Sequence, residues 1–221
     1  MLLAVDTSTS QMGLALYDGA QVQGEMLWHS RAHHTQELAP AVAGLLERSG
    51  LRTADLTCLG VATGPGSFTS LRVGLAFAKG LAMARHLPLV GIPTLDVTAA
   101  AVHASKIPLV AVLQAGRGRI AAAWYKAGRD GWHLTENPRV TTAQALESSI
   151  ELPTMVCGEL SAVERGLLAK NEAIKLASPA MCVRRPGLLA ELAWARWQAG
   201  QVDPLASLAP VYLHIAEPIE A

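Results

Sequence analysis

A few groups of residues have types and spacings that could do chemistry. Asp6-Thr7-Ser8-Thr9 follows the apolar run Leu2 to Val5. A carboxylate there could hold a Mg²⁺ ion through water while Thr7, Ser8 and Thr9 contact a phosphate. The competing reading is that Asp6 and Thr7 satisfy backbone groups of the turn that ends a strand. That reading is preferred, because a phosphate clamp also needs a second glycine-rich loop and a nucleoside pocket. The second half of the chain has no Gly-Gly pair, and Gly116-x-Gly118 alone is too weak a signal. No Walker A pattern exists, since Lys79 falls inside an apolar helical segment. His29, His33 and Glu37 are spaced by four, which on one helix would align three metal ligands. The helix starts near Thr35, so His29 lies on a strand and no metal site is expected. Ser67 is not in a Gly-x-Ser-x-Gly elbow, and no His-Glu-x-x-His occurs, so Ser67 reads as a helix cap. Trp194 and Trp197 read as core or interface aromatics. Cys58, Cys157 and Cys182 follow no metal spacing and read as reduced, buried thiols.

The elements that would position these groups centre on residues 61–82, VATGPGSFTSLRVGLAFAKGLA. An apolar strand ends at Thr63, Gly64-Pro65-Gly66 turns sharply, and a helix runs from Ser67 to Arg85. Ser67 or Thr69 can cap it. Phe68, Leu71, Leu75, Ala78 and Ala82 form one apolar stripe, and Ala76, Gly80 and Ala84 a second stripe of small residues. A helix apolar nearly all round needs cover on two sides. One side is the chain's own sheet; the other is a second domain or a second protein.

Upstream, strands are expected over 2–5, 12–17 and 21–28, with Asp18-Gly19 as a hairpin signal. A helix over 35–49 carries Leu38, Val42, Leu45 and Leu46, is bent by Pro40 and ends at Gly50. Strands 56–62 and 89–92 flank the apolar helix, and Pro93-Thr94 opens another. After Pro108, strands are expected over 109–113 and 119–125 around the loop 114–118, then over 132–140 and 154–157. Short helices follow Thr141 and Leu160, and a last helix opens at Pro186-Gly187. The pattern predicts an α/β chain with a mixed sheet flanked by helices, built twice. The expected division is 1–103 and 104–221, with helix 187–200 packing back on the first half.

Composition bounds the function. The chain has 221 residues, enough for one large domain or two small ones. Lys plus Arg equals Asp plus Glu at 18 each, so the chain alone should grip nucleic acid weakly. The N-terminus lacks a basic leader region, and no apolar run reaches membrane-spanning length, so a cytoplasmic location without a membrane is expected.

Asp6-Thr7-Ser8 after a buried strand and before a hairpin resembles the first phosphate loop of the actin, Hsp70 and sugar-kinase (ASKHA) superfamily. His34-Thr35-Gln36-Glu37-Leu38-Ala39-Pro40, the segment from Gly64 to Gly80, and Pro210-Val211-Tyr212-Leu213 narrow this. Together they resemble the TsaB (YeaZ) family. The match is dense over residues 1–97 and thin beyond. It departs from the family at Ser70, usually Gly, and at His214, usually Arg. The family's Asp-Ala-Arg loop and Glu-Val-Tyr-like strand read Gln114-Ala115-Gly116 and Arg119-Ile120-Ala121 here, so roles tied to that loop do not carry over.

The resemblance implies a reduced two-subdomain actin-like fold and a non-catalytic scaffold in tRNA threonylcarbamoyladenosine synthesis. It implies a helical interface with a TsaD-type subunit, built from Leu38, Val42, Leu71, Gly74, Leu75, Ala76, Gly80 and Ala84. Without that partner, the same surface favours a homodimer. Nucleotide and metal are expected in the partner subunit, a TsaE-type ATPase joins, and tRNA binds only through the complex. The alternatives are a free-standing ATP-dependent phosphotransferase or hydrolase built on Asp6, and a divergent relative with another partner.

Overall fold

Leu2, Leu3, Ala4 and Val5 are all buried, so the first strand is covered on both faces, as its unbroken apolar run requires. The computed structural model describes residues 1–31 and 33–213; His214 lies outside the described residues. Two compact units divide the chain. One comprises Met1–Val97 with Arg185–Val211, and the other is built on 98–184.

In the first unit, β1 (Leu2–Asp6), β2 (Gln11–Tyr17) and β3 (Val22–His29) form an antiparallel meander. After α1 (His34–Arg48), β4 (Cys58–Gly64) pairs parallel with β1. After α2 (Phe68–Arg85), β5 (Leu89–Pro93) pairs parallel with β4. The sheet order is β3-β2-β1-β4-β5. Alternation along the strands divides the core. Leu3, Val5, Leu14, Leu59 and Val61 meet α1 and α2. Leu2, Ala4, Ala15 and Ala62 meet α6 (Pro186–Gln198) through Leu189, Ala190 and Ala193. Gly60 permits that approach, since a Cβ there would stand 2.7 Å from the Ala193 methyl. The Gly187 N–H at the start of α6 donates to Glu25 at 2.9 Å, which meets an orphan donor of the helix end with a carboxylate.

The division falls at Val97, inside α3 (Thr94–Ala100), rather than after residue 103. Val97 packs with α6 and the first sheet, which keeps the first half of α3 in the first unit. Trp194 and Trp197 stack edge-on at 5.0 Å against the same core, with Tyr17 edge-on to Trp194 at 5.6 Å.

In the second unit, β6 (Leu109–Gly116), β7 (Arg119–Gly128) and β8 (Gly131–Thr141) form another meander. Next come α4 (Ala143–Ser149), β9 (Thr154–Gly158), α5 (Ala162–Leu168) and β10 (Ile174–Leu176). The order is β10-β9-β6-β7-β8, the same trace as the first sheet. Residues 114–118 are not an open loop: β6 continues to Gly116, which pairs with Arg119. Thr142, not Thr141, caps α4 by accepting from the Ala145 N–H at 3.1 Å.

Candidate functional site

The turn after β1 is buried under the turn after β4. Asp6, Thr7, Ser8 and Thr9 are each 6% exposed or less. The Ser8 N–H donates to Asp6 Oδ1 at 2.8 Å, closing the turn on its own carboxylate. Thr7 Oγ1 donates to the Ser70 carbonyl in the first turn of α2 at 2.7 Å. Ser8 Oγ lies 2.8 Å from Thr94 Oγ1, which also accepts from the Gly64 N–H at 3.0 Å. The Ser67 N–H donates to the Ser8 carbonyl at 2.7 Å. The buried His34 ring sits 2.9 Å from the Thr9 carbonyl, which fixes the start of α1 to the same turn.

Two glycines make this closure possible. A Cβ on Gly66 would stand 2.3 Å from the Ser8 carbonyl oxygen, and one on Gly74 would stand 2.2 Å from Thr7 Oγ1. The Thr7 and Ser8 hydroxyls therefore bond within the chain, to the first turn of α2 and to Thr94 at the start of α3. Asp6, Thr7 and Ser8 do come together, as a packed structural knot. Ser67 takes the N-cap position of α2, but its hydroxyl accepts from Ser70 Oγ at 3.0 Å rather than from the helix backbone.

The expected interface residues separate into two sets. Leu38, Val42, Leu71 and Leu75 are 4% exposed or less and belong to the unit's own core. Gly74 joins them, because α2 turns that side onto Thr7. Ala76, Gly80 and Ala84 are exposed. Residues outside the expected set share that surface: Phe68 is 52% and Met83 65% exposed. The Arg72 guanidinium lies 3.7 Å above the Phe68 ring. Beside them a groove of about 450 Å³ opens between α1 and α2, lined by Thr35, Leu38, Ala39, Phe68, Val73 and Phe77. A Cβ on Gly80 would meet no atom within 4 Å.

The remaining candidates have local roles. Glu37 accepts from the Trp28 indole at 2.9 Å, and that bond holds its carboxyl below the usual range. His29 ends β3 and His33 precedes α1. No cluster of metal-ligating side chains occurs among the described residues. Gln114 donates to Glu164 at 2.6 Å, and Glu164 also accepts from the Ser161 N–H as half of the capping box of α5. The altered loop residue thus ties β6 to α5. Among the described residues, no helix is long and apolar enough to cross a membrane.

The family model for TsaD, tRNA N6-adenosine threonylcarbamoyltransferase, matches residues 28–146, more than half of the chain. The tRNA threonylcarbamoyladenosine biosynthesis protein TsaB of Escherichia coli is 31% identical over 153 residues, covering 68% of this chain and 66% of that protein. TsaB of Bacillus subtilis is 31% identical over 125 residues, covering 57% of this chain and 55% of that protein. The chain therefore spans between about half and two thirds of the length of these relatives. The solved structure of YeaZ from Pseudomonas aeruginosa superposes with a TM-score of 0.77 over 96% of this chain and 99% of that one, at 21% identity. That likeness, with the observed strand order, establishes a fold of two mixed sheets flanked by helices. By its sequence matches, the chain belongs to the TsaB (YeaZ) family.

Proposed function

We propose that this chain is a non-catalytic scaffold in tRNA N6-threonylcarbamoyladenosine synthesis and docks a TsaD-type catalytic subunit through the outward face of α2 and the groove beside α1. The observation that carries this reading is the exposed run Phe68, Ala76, Gly80, Met83 and Ala84. Large apolar groups flank a ridge without bulky side chains, which suits close packing of a second helix. The closed Asp6–Thr9 turn supports a role other than nucleotide chemistry, because its hydroxyls already have partners within the chain. In this reading the TsaD-type subunit holds the metal and the threonylcarbamoyl donor. A TsaE-type ATPase joins the pair, and tRNA is bound by the complex. The balanced charge of the lone chain agrees with weak tRNA binding that fades at physiological salt. When the partner is absent, the same face pairs two copies of the chain.

Reconstitution with the TsaD-type subunit and TsaE-type ATPase of the same organism tests this. Modified tRNA should form only when this chain is added, and the chain alone should form none. Unchanged yield without the chain, or modification by the chain alone, would overturn the proposal.

A further inference from the structure

Cys157 and Cys182, distant in sequence, meet in the second unit. Cys157 is buried near the end of β9, and its Sγ lies 3.3 Å from the carbonyl of Met181, the residue before Cys182. Cys182 is partly exposed in a turn whose backbone bonds to Ser178 at 3.1 Å. Arg165 on α5 points Nη1 at Cys182 Sγ from 3.6 Å. Its Nη2 donates to the Ala177 carbonyl at 2.8 Å, which holds the guanidinium in place.

We propose that Cys182 and Cys157 form a peroxide-sensitive dithiol that closes to an intramolecular disulfide. The groups facing Cys182 are the Cys157 thiol and the Gly158 N–H from β9 and the Arg165 guanidinium from α5. The hydrogen bond from Cys157 holds the Cys182 thiol well below its ordinary range, with the Gly158 N–H and Arg165 adding to the effect. The same bond, together with burial, pushes Cys157 up. Cys182 is thus the attacking thiolate and Cys157 the resolving thiol. The Cys182 sulfur attacks one oxygen of the peroxide, the O–O bond breaks, and a sulfenic acid forms while the other oxygen leaves as water. The Cys157 sulfur then attacks the Cys182 sulfur and loses its proton. The S–O bond breaks and a second water leaves. Two thiols are oxidised and one hydrogen peroxide is reduced to two waters.

The test uses the reduced full chain, hydrogen peroxide, and peptide mapping by mass spectrometry. The expected product links Cys157 to Cys182, weighs two hydrogens less, and reverts with dithiothreitol. Cys58 should stay a thiol, since burial pushes it up to about 12. In Cys157→Ser, dimedone should trap a sulfenic acid at Cys182 with no cross-link. Iodoacetamide labelling of Cys182 in the native chain should change less than about threefold from pH 6 to 8, where an ordinary thiol rises by about a hundredfold. Cys182 labelling that rises like an ordinary thiol, or peroxide oxidation of the native chain without the Cys157–Cys182 link, would overturn the proposal.

Discussion

The two sheets share one chain trace and differ in what the trace leaves at its first turn and second helix. In each unit an antiparallel meander is followed by two parallel strands on the opposite side of the first strand. In the first unit the turn after β1 lies under the β4 turn and is bonded to α2. In the second the corresponding turn, Gly116-Arg117-Gly118, is exposed, and its backbone takes φ values of 75°, 54° and 70°. The helix between the fourth and fifth strands has 18 residues in α2 and 7 in α5. The long helix covers the turn and still leaves one face outward; the short one leaves its turn exposed, and its own Val163 is 83% exposed. One topology therefore supports a closed turn or an exposed one, according to where glycines admit close approach and how far one helix runs.

Breaking the closed turn should have the largest effect. Gly74→Val drives an isopropyl group against Thr7 and should cost about 3 kcal/mol or more in urea unfolding. A small cost there would mean that the turn and α2 are not packed as described. Gly118→Ala in the exposed turn has free space but the wrong backbone, and should cost only about 1 kcal/mol. Thr7→Val keeps the shape and removes the donor to the Ser70 carbonyl, for a cost of about 1–2 kcal/mol. ATP turnover should remain at background in the native chain and in Asp6→Ala alike; turnover lost in that variant would assign the turn a catalytic role. The smallest effect is at Glu37. Its folded pKa is depressed below 4.5, so the contribution of its ionised form is present above that pH and lost as pH falls through the lower folded value. Between pH 6 and pH 3, the native chain should lose more thermal stability than Glu37→Gln.

Much of the first unit is legible in the sequence, because apolar runs of strand length alternate with turn residues and helices of ordinary period. The three residues of β10 are too few to show any period, and that strand is visible only through its pairing with β9. Residues 64–74 signal close backbone approach through their glycines, but nothing local tells that Ser8 and Thr7 are what approaches. A helix apolar on nearly all sides has no direction that names its buried face. Leu71 and Leu75 thus carry the same signal as Phe68, although the first two enter the core and Phe68, at the helix start, stays exposed. The meeting of Cys157 with Cys182 depends on the path of the chain after β10, which no spacing encodes.

The central claim, that the outward face of α2 is a docking surface, is tested most directly by light scattering on Gly80→Glu, alone and mixed with the TsaD-type subunit. The new side chain meets no atom of its own chain at Cβ, and it replaces a residue that weakens helices by up to about 1 kcal/mol. Circular dichroism should therefore show a folded protein at least as stable as the native one. The variant should be a monomer that forms no complex, because a carboxylate on the ridge holds the partner helix away and would be buried unpaired. A folded Gly80→Glu chain that assembles as well as the native one would contradict it.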